Sequence, residues 1–220
     1  MSTPFHIRDA LPSPTHTDAH FITAAFDSCI PHLSTIGSAS QWGTTPLTAA
    51  RPDFVTRHIT AIADAEESRQ RNYHPDAGPV ARVLIAEAPL PAGEGEGEGE
   101  GGFIPVGAAT LRAGYLPKYV LEQKHLEGVT GRLMGGEEGP FMFLEILVTD
   151  FREETKAYRK GAGAALVGYA KEWVRGLGMR VMFYEAQGFE KVDKFVVEKA
   201  GEEGWPGMFL RMDVGKQDSE

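Results

Sequence analysis

Apolar positions recur at helical spacing in two segments of the N-terminal third. Phe21, Ile22, Ala25, Phe26, Cys29, Ile30 and Leu33 fall three or four residues apart and predict a helix, capped by Thr15 or Thr17, that runs to about Leu33. Pro31 lacks a backbone N–H and crowds the preceding turn, so it is expected to bend or end that helix. A second helix starts near Pro52, a favoured first-turn residue. Its inner stripe is Val55, Ile59 and Ile62, and it continues to about Gln70. Residues 36–43 between the two read as loop. Ahead of both, Phe5-His6-Ile7-Arg8 alternates as a strand does.

The pattern then changes period. Residues 81–87 (ARVLIAE) and 104–111 (IPVGAATL) are β-rich and predict an antiparallel hairpin. Residues 117–139 are ambiguous, with a short helix over 119–126 followed by a Gly-rich turn. Residues 141–148 (FMFLEILV) are nearly all apolar, which suits a central strand covered on both faces. The clearest helix spans 161–176, with Ala165, Leu166, Tyr169, Ala170, Trp173 and Val174 inward and Gly176 and Gly178 ending it. Strands are expected at 179–183, 189–197 and 208–214. The predicted fold class is α/β of the α+β kind. One domain covers residues 1–214, with a mixed, mostly antiparallel sheet flanked by helices and a tail at 215–220.

Composition narrows the function. The chain has 220 residues, 42% of them apolar, and a net charge of −9 from 31 acidic and 22 basic side chains. Four of those charges sit in the Gly/Glu repeat within residues 90–103. Glycine entropy and carboxylate repulsion predict a disordered loop there. A calcium-binding reading of the repeat lacks the ligand order of a calcium loop. The acidic balance argues against nucleic acid or an anionic membrane as partner. No apolar run nears the ~20 residues of a membrane span, and no secretory leader is visible. The single cysteine, Cys29, makes no internal disulfide and is read as a buried thiol. Location in the cytoplasm is the resulting expectation. His16 and His20 have a metal-binding spacing but no third ligand, so no metal is expected.

The informative stretch is Leu144 to Val174. An apolar strand ends at Val148, a polar loop follows, and Arg159-Lys160-Gly161-Ala162-Gly163-Ala164 opens a helix. The first N–H groups of a helix lack internal partners and carry partial positive charge. Glycines let a ligand approach them, so phosphate or pyrophosphate is the natural guest. The same glycines also suit close packing at a helix start. A P-loop is excluded, since the only Gly-Lys is Gly215-Lys216-Gln217. The dinucleotide fingerprint fails because Leu166 stands where Gly or Ala is required.

This stretch resembles the acetyl-CoA signature of the GNAT N-acetyltransferase superfamily, Q/R-x-x-G-x-G/A between a strand and a long helix. Aligned on Gly161 and Gly163, Tyr158 stands where Gln or Arg is usual and Arg159 falls one place late. Tyr184-Glu185-Ala186-Gln187-Gly188-Phe189 is similar to the family's YExxGF, WPGMFLRMDV to its closing strand, and Ser40-Gln41-Trp42 to a QW element of some microbial members. The resemblance implies a sheet splayed at an acetyl-CoA site. Backbone groups of Leu147 and Val148 would pair with the pantetheine arm. N–H groups of Lys160, Gly161, Ala162, Gly163 and Ala164, with the Arg159 cation, would hold the pyrophosphate. Tyr184 matches the general acid toward the departing thiolate. Glu145, a lone carboxylate in an apolar strand, is the candidate base, with a salt-bridged carboxylate as the plainer reading. Trp42 lines the acceptor pocket or simply packs.

The implied activity is transfer of an acetyl group from acetyl-CoA to a primary amine of a small molecule, by a monomer or homodimer. Two departures stand against the pattern. The loop from Val148 to Gly161 is several residues longer than usual. Strand 179–183 also runs straight into Tyr184, where family members carry a loop and most of a helix. The alternative expectation is therefore a GNAT-like protein that binds CoA in a regulatory role without turnover.

Overall fold

The computed structural model describes residues 5–36, 38–74, 77–91, 102–182, 190–199 and 202–211. The N-terminal half runs β1 (His6–Asp9), α1 (Thr17–Thr35), α2 (Ala39–Trp42), α3 (Leu47–Ala50), α4 (Phe54–Gln70), β2 (Ala81–Pro89) and β3 (Phe103–Ala113). The rest runs α5 (Lys118–Leu121), α6 (Glu127–Met134), β4 (Phe141–Thr149), α7 (Ala162–Gly176), β5 (Arg180–Met182), β6 (Glu190–Lys199) and β7 (Glu202–Arg211). This is the expected α+β class. β1, β2, β3 and β4 are antiparallel neighbours in that order, and β5 joins β4 in parallel. β6 and β7 form a separate antiparallel pair. The Gly/Glu repeat at 92–101 lies outside the described residues.

The period-2 alternation of the strands divides the core. Val83, Ile85, Ala108 and Val148 face α1 and α4, where they meet Ile22, Phe26, Phe54 and Ile62. Leu84, Ala86, Ala109, Leu111, Met142 and Leu144 face the other way, onto Ala162, Leu166, Val167, Ala170 and Val174 of α7. β4 is apolar along its length because both of its faces are covered. Its first residues, Phe141 and Phe143, pack on the α5–α6 segment through Val120, Leu126 and Leu133.

Several helical expectations are corrected. α1 continues past Pro31 to Thr35. Pro31 is on the exposed side, while Cys29 and Ile30 are buried on the other, so tertiary packing outweighs the one lost hydrogen bond. Neither Thr15 nor Thr17 caps α1. His16 occupies that position at φ 50°, and the Thr17 N–H donates to the Ser13 hydroxyl at 3.2 Å. Residues 39–42 form one helical turn inside the expected loop, and α6 replaces much of the expected Gly-rich turn. In α7 Tyr169 is exposed and Val167 takes the inner place. Gly178 ends α7 at φ 68°, where the left-handed backbone suits glycine.

The inner stripe of α4 is Phe54, His58, Ile62 and Ala65, with Val55 and Ile59 only half-buried at its edges. His58 lies edge-on to Phe54, with ring centroids 4.8 Å apart, and 5.8 Å from Phe26. Burial, helped by the neighbouring Arg57 cation, pushes its pKa down from 6.5 to about 4. The unfolded chain therefore takes up a proton at a higher pH than the folded one. The His58 contribution to stability is full above pH 6.5, falls as pH drops toward 4, and is constant below that. The expected loss is roughly 3 kcal/mol at most. His58→Phe should flatten the denaturation midpoint across this window, as read by urea titrations at pH 7 and pH 4.5.

Arg82 is the main buried cation. Its Nε donates to Asp9 Oδ1 at 2.7 Å and its Nη2 to Asp9 Oδ2 at 3.1 Å and to the Tyr169 hydroxyl at 3.1 Å. The rings of Tyr73, Tyr169 and Trp173 surround the guanidinium at 5.3, 5.2 and 4.8 Å. One side chain thus ties β1, β2, the segment after α4, and α7 together.

Candidate active site

The β4–α7 corner is built around a break in register. Thr110 pairs with Ile146 and Leu111 with Leu144, which leaves Glu145 as an extra residue on β4. Such a bulge turns two successive side chains to one face. Glu145 and Ile146 both face the α4 side, and Leu147 returns to the α7 side. β5 pairs with β4 only over residues 141–143. Among the described residues, the β5-side edge of residues 144–149 therefore has no strand partner.

Beyond β4, the fully buried Asp150 organises the loop. Its carboxylate accepts from the Ser28 hydroxyl at 3.2 Å, the Arg152 backbone N–H at 3.1 Å and Arg152 Nε at 2.9 Å. Cys29 sits alongside, with its Sγ 3.1 Å from the Thr149 carbonyl. Burial pushes that thiol up to about 11, so it stays protonated. Gly161 then turns the chain into α7 at φ 94°, a backbone that excludes ordinary side chains. The helix start lies close over β3. A Cβ on Gly107 would stand 3.0 Å from the Val148 carbonyl oxygen and 3.3 Å from Leu166 Cδ1.

The expected anion-binding residues divide here. Lys160, Gly161 and Ala164 are exposed and Gly163 is half-buried, so they form an open first turn. Ala162 is fully buried, and its N–H donates to the Arg159 carbonyl at 3.0 Å; it is spent on the turn itself. Arg159 is turned inward as well. Its Nη1 donates to the carbonyls of Asp150 and Arg152, both at 3.3 Å, and its guanidinium lies 4.3 Å over Phe151. It braces the loop. Leu147 and Val148 pair with Ala109 and Ala108 of β3 on one side and border the unpaired edge on the other. Tyr184 lies outside the described residues.

Glu145 is not the lone carboxylate of the sequence reading. The bulge brings it to Arg112, with Oε2 and Nη1 3.7 Å apart and its side chain 21% exposed. Arg112 in turn lies 4.2 Å over the Tyr115 ring. Burial first, and then the Glu145 charge, push the Tyr115 phenol up. These groups open onto a cleft of about 310 Å³ between α4 and the sheet. One wall carries Asp53, just before α4, and Thr56, Arg57, Thr60 and Asp64 of α4; the floor and far wall carry Ala81, Thr110, Arg112 and Glu145. Trp42 is elsewhere: it packs against Phe26 at a centroid distance of 6.0 Å and is not part of the cleft lining.

Arg57, Thr110 and Arg112 were missed in the sequence. Thr110 and Arg112 are two apart in a strand, so they share a face, and they interrupt an otherwise apolar run. That was a readable signal. The polar stripe of α4 was not, because any solvated helix face looks the same.

Thr110 is only 2% exposed, yet its hydroxyl hydrogen-bonds to no described residue. Thr110→Val is therefore expected to change stability by less than about 1 kcal/mol, because no hydrogen bond to a described residue is lost and the side chain keeps its shape. Thermal denaturation checks this.

No protein-family model matches the chain, and no curated protein matches its sequence. Among the described residues, no helix is long and apolar enough to cross a membrane, and no three His, Cys, Asp or Glu side chains gather as metal ligands.

Proposed function

We propose that the chain is an acetyl-CoA-dependent N-acetyltransferase that acetylates a primary amine of a small molecule. The observation that carries this reading is the corner itself. A bulge at Glu145, an edge of β4 with no strand partner beyond residue 143 among the described residues, and an open glycine turn at the start of α7 are the three features. Acetyl-CoA supplies an activated thioester. Its pantetheine amides suit the β4 edge at Leu147 and Val148, as an added strand would. Its pyrophosphate suits the first turn of α7 at Lys160, Gly161, Gly163 and Ala164. Glu145 accepts the proton that the attacking amine sheds, and proximity of the two substrates does most of the work. Tyr184 is the proposed proton donor to the leaving thiolate, by the resemblance alone.

The test is thiol release from acetyl-CoA in the presence of a panel of small primary amines. Release that depends on one amine class, with acetylated amine as product, supports the reading. A second reading rests on chain length. Only residues 183–189 separate β5 from β6, where the family pattern places a loop and most of a helix. Saturable acetyl-CoA binding with no thiol release on any amine favours that reading, a CoA-binding protein without turnover.

A further inference from the structure

We infer that the cleft between α4 and the sheet is the acceptor pocket, and that it takes a compact zwitterion carrying one carboxylate and one primary amine in amino-acid proportions. Naming it the acceptor pocket rests on the acetyltransferase reading; the binding chemistry rests on the cleft alone.

The cleft is lined by polar groups that the fold does not use. Asp53, Thr56, Arg57, Thr60 and Asp64 make no side-chain hydrogen bond or ion pair with another described residue. Surface solvation accounts for those on the rim. At the cleft floor Thr110 is 2% exposed as a residue, and its hydroxyl bonds to no described residue, which leaves it available to a molecule bound in the cleft.

The charges give the ligand its class. Among the described residues, Arg57 on the helix wall has no ion-pair partner, and Arg112 on the sheet wall reaches its nearest carboxylate only at 3.7 Å. Two guanidinium groups on opposing walls suit one carboxylate, which accepts from both. Glu145, set into the cleft by the bulge, is the counter-group for an amine beside the β4 edge. With Asp53, Asp64 and Glu145 against Arg57 and Arg112, the lining sums to one net negative charge. A neutral zwitterion or a monocation fits that balance. A second carboxylate meets Asp53 or Asp64, so dicarboxylates are disfavoured. A volume of about 310 Å³ lies at the small end of ligand sites.

Calorimetric titration of the full chain, without acetyl-CoA, tests this directly. The probes are the twenty proteinogenic L-amino acids and the amines left by their decarboxylation. At least one amino acid is expected to bind about tenfold or more tightly than its own decarboxylated amine, and than aspartate or glutamate, since one good charged contact is worth about that factor. Arg57→Met and Arg112→Met should each collapse the preference for the carboxylate while the denaturation midpoint holds. Thr110→Val should weaken binding several-fold at unchanged stability. The inference is overturned if no amino acid binds at 10 mM, if the decarboxylated amine binds equally well, or if the preference survives both arginine substitutions. Its failure is distinguishable from that of the parent reading. Amino-acid binding without thiol release from acetyl-CoA removes the transferase reading and leaves the zwitterion site standing. Thiol release on simple amines with no amino-acid preference does the reverse.

Discussion

Replacing Arg82 with alanine is expected to destabilise the protein by about 3 kcal/mol or more, the cost of leaving one partner of a buried ion pair behind. For a chain of this size that lowers Tm by roughly 6 °C or more. The effect is large because three losses coincide. Asp9 loses two charge-assisted hydrogen bonds, Tyr169 loses the donor to its hydroxyl, and three rings lose the cation they surround. Each ring contact contributes about 0.5 kcal/mol or more in such settings. Arg82→Lys should recover only part of the loss, because an ammonium cannot serve both Asp9 oxygens in the forked geometry. Thermal and urea denaturation of the two variants decide this; a loss under 1 kcal/mol for Arg82→Ala means the cluster does not hold α7 to the sheet.

The second large effect follows from the proposed activity. Glu145→Gln keeps the shape of the bulge and its side-chain polarity but removes the proton acceptor. The expected result is a fall of about 10²-fold or more in kcat, typical for loss of a positioned base, with acetyl-CoA affinity unchanged. Arg112 complicates a simple reading, because it loses its carboxylate neighbour at the same time. Glu145→Asp separates the two roles. It retains a base at a shorter reach and should recover part of the rate, whereas a purely structural Glu145 would show equal loss in both variants. The variants are compared by thiol release across pH 6–9, with Tm recorded for each.

Much of the scaffold was legible because it rests on local pattern. The hairpin of β2 and β3, the apolar β4 and the terminator Gly178 all follow from period and glycine position. The errors share a different cause. Pro31 is tolerated because the buried neighbours Cys29 and Ile30 hold α1 in place, which no local rule contains. The stripe Val55, Ile59 and Ile62 leaves out His58, which packs against Phe26 and Phe54. Arg159 was read as a free cation, but the long loop after β4 folds back and supplies the carbonyls that occupy it. Glu145 acquires Arg112 only through a one-residue slip between β3 and β4. The Arg82 cluster draws on Asp9, Tyr73, Tyr169 and Trp173 from three segments other than its own strand. The candidate site is thus half legible. Its glycine turn and apolar strand are sequence features, whereas the cleft exists only once α4 lies across the sheet.

The proposed site for acetyl-CoA is the open turn of α7 together with the β4 edge at Leu147 and Val148, and calorimetric titration of the full chain with acetyl-CoA tests it most directly. The account predicts saturable one-to-one binding that weakens as salt is added, because a phosphate-bearing ligand meets Lys160 and the helix start. No heat and no thermal shift at millimolar acetyl-CoA would contradict it.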